Sequence, residues 1–68
     1  MELTERPLDM AARHVREQAI RIERQVALIR HRTEEGLSVD REEAFLIDMQ
    51  HTLEDMRKHL AVLQRKPR

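Results

Sequence analysis

The feature that most constrains this chain is an apolar rhythm of four and three residues. It runs from Leu8 through Ala12, Val15, Ala19, Ile22, Val26 and Ile29 to Thr33. Such spacing keeps every member on one stripe of an α-helix, the pattern of a coiled-coil-like seam. A second run, Leu46, Met49, Leu53, Met56, Leu60 and Leu63, repeats it, with Val39 one heptad before Leu46. Between the runs stands Gly36, the single glycine, suited to the left-handed conformation that ends a helix. The reading is one domain over 1–68, with helix 1 over 7–35, a turn over 36–39 and helix 2 over 40–65.

The ends carry their own signals. Pro7 suits the first turn of a helix, where a missing N–H is harmless, and Thr4 is a candidate cap before it. Ser38 or Asp40 is expected to cap helix 2, with Asp40 and Glu43 at capping-box spacing. Asp40, Glu42 and Glu43 favour the positive end of that helix, and Arg57, Lys58, Arg65 and Lys66 its negative end. Pro67 closes it.

A connection this short makes the helices antiparallel. A turn centred near Leu37 and Ser38 pairs positions whose numbers sum to about 75. Ile29 then lies level with Leu46, Val26 with Met49, Ile22 with Leu53, Ala19 with Met56, Val15 with Leu60 and Ala12 with Leu63. Each seam residue meets another, and the alanines face large partners, as interdigitation requires.

Two helices enclose no interior. Leu46, Leu53 and Leu60 lean to the same side as Ala12, Ala19 and Ala27, and Phe45 to the other. The apolar strip left over marks an interaction surface. With 68 residues the chain is small, and small scaffolds need disulfides, a metal or oligomerisation. There is no cysteine, so self-association is the expected remedy. The fold class expected is all-α: an antiparallel two-helix hairpin with a coiled-coil-like seam, completed to a four-helix bundle by a second copy. The expected interface is Leu8, Ala12, Val15, Ala19, Ile22, Val26, Ile29, Phe45, Leu46, Met49, Leu53, Met56, Leu60 and Leu63. Ile20, Leu28 and Ile47 fall off the seam, and widen the face or mark a second one.

Charged residues make up 38% of the chain, yet the formal net charge is zero, which disfavours nucleic acid and anionic membranes as partners. With Phe45 the only aromatic residue, no stacking platform for bases exists. Against this, Arg6, Arg13, Arg21, Arg24 and Arg32 gather within about 100° on the face opposite the seam, with His31 among them. Arg13, Arg21, Arg24 and Arg32 are the residues that would track a phosphate backbone. Glu17 and Glu35 interrupt them, and pairs such as Glu17 with Arg21 favour an ordinary solvated face.

Little else points to chemistry. His14, His31, His51 and His59 match no metal motif. His14 and His59 flank the seam at similar heights with Met10 and Met56 nearby, a placement better suited to boundary histidines than to a metal or haem. The acidic pairs Glu34/Glu35, Glu42/Glu43 and Glu54/Asp55 are sequence neighbours, about 100° apart on a helix, and cannot act as one acid–base pair. Asp55 lies level with Arg21, and an ion pair between the helices is expected there. No catalytic, cofactor-binding or metal residue is expected, and no enzyme. No apolar run approaches the ~20 residues of a membrane span. Met1-Glu2-Leu3-Thr4-Glu5 lacks the apolar core of a signal peptide, so a cytoplasmic protein without a membrane partner is expected.

His14-Val15, Ile22, Arg24-Gln25, Leu28-Ile29, Gly36, Ala44, Leu46, Leu53, Met56 and His59-Leu60 together form a pattern over residues 12–63. It resembles a group of small uncharacterised helical-hairpin proteins common in rhizobial and related alphaproteobacteria. Ser38-Val39 stands where those proteins usually carry Asp-Thr. The resemblance implies a bacterial cytoplasmic protein and carries no activity. In architecture alone the chain is also similar to the Rop-type RNA-binding hairpin, without a shared motif. The expected role is a small adaptor or regulator, a homodimer or tetramer with or without a further protein partner. The alternative is an RNA- or DNA-binding hairpin dimer using the arginine face of helix 1.

Overall fold

A computed structural model describes residues 4–65. Two helices, α1 (Pro7–Glu34) and α2 (Asp40–Gln64), lie side by side. Gln18 bonds to Met49 and Gln25 to Glu42, so α2 numbers fall as α1 numbers rise, and the helices are antiparallel. Met1–Leu3, the charge of Lys66 and the stop expected at Pro67 lie outside the described residues.

Both helices begin without a side-chain cap. Arg6, in extended backbone, precedes Pro7 and accepts a 2.9 Å bond from the Met10 N–H. Thr4 therefore does not cap α1. Val39 stands at the cap position of α2 and accepts from the Glu43 N–H at 2.8 Å. The expected capping box of Asp40 and Glu43 does not form. A capping side chain must hang from the non-helical residue before the first turn. Asp40 is already helical, and Val39 has no acceptor on its side chain. The first turn keeps its three acidic residues, Asp40, Glu42 and Glu43, against the helix dipole.

The end of α1 is strongly determined. Gly36 takes φ +75°. The Leu37 N–H bonds to Arg32 O at 2.9 Å and the Gly36 N–H to Thr33 O at 3.0 Å, the paired bonds of a Schellman motif. These satisfy carbonyls that the helix itself leaves open.

The packing of α1 departs from the expected seam in alternate members. Its buried or half-buried side toward α2 is Ala11, Val15, Gln18, Ile22, Gln25, Ile29 and Arg32. Val15, Ile22 and Ile29 belong to the apolar rhythm; the others stand one residue before Ala12, Ala19, Val26 and Thr33. Successive residues are 100° apart on a helix, so two lines flank Val15, Ile22 and Ile29, and the hairpin closes over the more polar one. Opposite it, Val39, Glu42, Leu46, Met49, Leu53, Met56, Leu60 and Leu63 are all buried or half-buried. The seam is thus not free of polar groups. Gln18 and Gln25 are among its most buried residues, and each donates from Nε2, at 2.9 Å, to the Met49 and Glu42 carbonyl respectively. Near the turn Arg32 Nε lies 3.7 Å from Glu42 Oε2. The residue numbers joined by these three contacts sum to between 67 and 74.

The result is a thin slab of 54 × 30 × 13 Å. Its radius of gyration is 16.2 Å, against about 11 Å for a compact domain of this length. The chain exposes 5978 Å², where a compact monomer of this mass exposes about 4,500 Å².

Candidate interaction face

In antiparallel neighbours a step of four residues turns toward the same broad side of the pair on both helices. On α1 it leads from Gln18 through Ile22 to Val26; on α2 it leads from Met49 through Leu53 to Arg57. One broad face therefore carries Val15, Ile22 and Ile29, then Ala12, Ala19 and Val26, on α1. On α2 it carries Leu46, Leu53 and Leu60, then Glu43, Gln50 and Arg57. An open groove of about 370 Å³ confirms the juxtaposition, with Ile22 and Leu53 lining it beside Gln50, Glu54 and Arg57. The expected pair Ile22 and Leu53 is thus brought together.

The α1 side of this face and its Leu46, Leu53 and Leu60 line are apolar and only partly covered. Val15, Ala19, Ile22, Ile29, Leu46, Leu53 and Leu60 are all half-buried, and Leu8 and Val26 are exposed. Met49, by contrast, is buried at the hairpin seam, and Met56 and Leu63 are half-buried along it. Ala12 is half-buried at the edge. Phe45 stands on the other side of α2 and is 57% exposed. Among the described residues the only buried apolar ones are Ala11, 7% exposed, and Met49, 8% exposed. A hairpin with two small buried contributions has most of its available apolar burial still outstanding.

The arginines do not make one free basic surface. Arg13 is clamped, its Nη2 2.9 Å from Glu5 Oε1 and its Nη1 3.0 Å from Glu17 Oε2. The hydrogen bonds from Arg13 hold the Glu5 carboxyl below its ordinary range, against partial desolvation and with help from the charges of Arg13, His14 and Arg16. The same bonds, to Glu5 and then Glu17, raise the Arg13 guanidinium. Arg6 pairs with Asp9 at 3.3 Å. Arg32 turns into the seam against Glu42, with Nε buried and without a hydrogen-bond acceptor. It therefore leaves the proposed phosphate-tracking set, because the polar line is the one the hairpin encloses. Arg21 and Arg24 remain exposed, in a shallow depression of about 240 Å³ with Ile20 and Glu17.

Arg21 makes no ion pair with Asp55; among the described residues the pair joining the two helices is Arg32 with Glu42. His31 lies 3.5 Å from Glu35, and His14 and His59 are exposed. No three His, Asp or Glu side chains among the described residues gather as a metal site would require. No helix described is long and apolar enough to cross a membrane.

Gln18 and Gln25 were invisible to a reading of apolar periodicity. The signal available was their spacing: with Ala11 and Arg32 they form a strict heptad line beside Val15, Ile22 and Ile29. A scan against protein-family models, a search of curated proteins and a search of solved structures each returned no match.

Proposed function

We propose that this chain is a small non-enzymatic interaction protein of the cytoplasm, an adaptor or regulator, whose working form is a helical bundle built by self-association. The observation that carries this is the unfinished apolar face of a slab with almost no core. Its surplus of roughly 1,500 Å² over a compact monomer exceeds the ~800 Å² per partner of a standard interface. Each helix is about 40 Å long and about 10 Å across, so one broad face offers about 800 Å². The charged groups described are solvated or paired with one another, and none converges on a reacting centre.

Light scattering over a dilution series, at low and high salt, tests it. A dimer or tetramer that persists to micromolar concentration is expected. A monodisperse, fully helical monomer overturns the reading. Nucleic-acid binding finds its remaining support in Arg21 and Arg24, doubled in a dimer. It predicts salt-sensitive RNA or DNA binding that Arg21→Ala with Arg24→Ala weakens, and its absence at low salt removes that alternative.

A further inference from the structure

The edge of the apolar face on α1 carries Asp9, Arg16, Glu23 and Arg30, seven residues apart, with alternating charge. All four are exposed. Arg16, Glu23 and Arg30 have no ion-pair partner among the described residues, and Asp9 has only the solvated Arg6. Within a helix, residues seven apart are two turns distant and too far to pair. In a closed two-fold contact, where a parallel copy cannot be staggered, an alternation of this period is self-complementary only toward an antiparallel copy of the same helix. There Asp9 meets Arg30 of the partner subunit and Arg16 meets Glu23 of the partner subunit, each pair occurring twice. A parallel copy sets like on like, and so does an antiparallel copy slipped by one heptad.

The edge on α2 follows the same rule. Glu43, Gln50 and Arg57 are also seven apart and exposed. An antiparallel copy of α2 brings Glu43 to Arg57 of the partner subunit and Gln50 to its own copy. The centre of symmetry of the α1 edge falls between Ala19 and Ile20, and that of the α2 edge at Gln50. A single two-fold axis can serve both edges only if the hairpin holds those centres level. It does: the centres sum to about 70 in residue number, inside the 67 to 74 spanned by the cross-helix contacts.

We infer that the occupant of this face is a second copy of the chain, related by a two-fold axis perpendicular to the helices. α1 lies on α1 and α2 on α2, every neighbour being antiparallel. The inference rests on the self-association proposed above and specifies its face and symmetry. The apolar line agrees with it. Antiparallel packing about that axis sets Ala19 beside its own copy and Ala12 near Val26 of the partner subunit, so the line of smallest side chains lies where the two copies of α1 approach. The charged edges then guard register and orientation more than they add affinity.

Sedimentation equilibrium on Arg16→Glu, Glu23→Arg and the double variant tests the edge. Each single reversal makes two like-charge contacts per dimer and is expected to weaken the dimer about tenfold. The double variant is expected to return to the wild-type constant. Ala19→Cys, beside the axis, is expected to cross-link through a short thiol reagent, whereas Ile20→Cys, turned away, is not. Unchanged association in the single variants, no recovery in the double, or equal linking at 19 and 20 overturns this arrangement. A wild-type chain that is monomeric at every concentration overturns the self-association reading itself.

Discussion

α1 carries two heptad lines on either flank of Val15, Ile22 and Ile29, and they have opposite fates. Ala11, Gln18, Gln25 and Arg32 face α2. Ala12, Ala19 and Val26 are left at the open face. A hairpin that had only itself to satisfy would enclose the apolar line and leave the amides in water, because buried polar groups need partners. The reverse arrangement is stable because each glutamine finds a carbonyl on α2, at 2.9 Å in both cases. Those carbonyls sit within α2 and retain their helical role, so the amides add bonds without orphaning anything. The difference teaches that polar contacts specify the packing of α1 on α2, while apolar surface is left uncovered on the face where the proposed second copy would sit.

The sharpest way to break this division is to remove Met49, the one large apolar side chain buried among the described residues. Met49→Ala should cost about 2–3 kcal/mol in urea unfolding followed by circular dichroism. A loss under 1 kcal/mol would mean that the seam owes little to apolar packing.

The glutamine line comes next. Gln18→Ala should cost about 1 kcal/mol, while Gln18→Leu should leave the unfolding midpoint nearly unchanged and broaden the amide NMR spectrum, since an apolar residue packs in several registers. If Gln18→Leu stayed as well dispersed as the wild type, the bond to Met49 would not be what sets the alignment.

Arg32 sharpens the same point with a smaller effect. Its Nε is buried beside Glu42 without a hydrogen bond. Arg32→Met keeps the aliphatic stem and removes that group, so a change between zero and about 1 kcal/mol of stabilisation is expected in the same unfolding experiment.

The smallest effect is at the outer clamp. The Glu5 pKa in the folded chain lies below its ordinary value of 4.5. The ionised clamp therefore supports the fold fully above the ordinary value, and that support fades as pH falls through the lower folded value. Following the Glu5 carboxyl carbon by NMR should give a midpoint below that of a free glutamate, and Arg13→Ala should move it back up.

The helices, their antiparallel order and the glycine that separates them were legible because each rests on a local rule: period, breaker, short connection. Cap positions were not, since Thr4, Ser38 and Asp40 all carry the right chemistry and only backbone geometry selects Arg6 and Val39. The open face was legible in outline, with Ile22 and Leu53 correctly joined. Its polar neighbour line was not, because Gln18 and Gln25 look like solvent residues until an acceptor is placed opposite them. Arg32 was misassigned to the outer face for the same reason. An apolar rhythm locates a stripe to within one residue, and one residue is enough to choose a different side of the helix.

The Gly36 turn has a kinetic consequence. The contacts nearest this bend close the shortest loops, so folding is expected to start there and spread outward. Opening runs in the reverse order. Amides near Arg32 and Glu42 should then exchange with solvent last, and those near Leu8 and Leu63 first. The end of the molecule farthest from the bend is where a newly made chain stays open longest, and where helix exchange with the proposed second copy would begin.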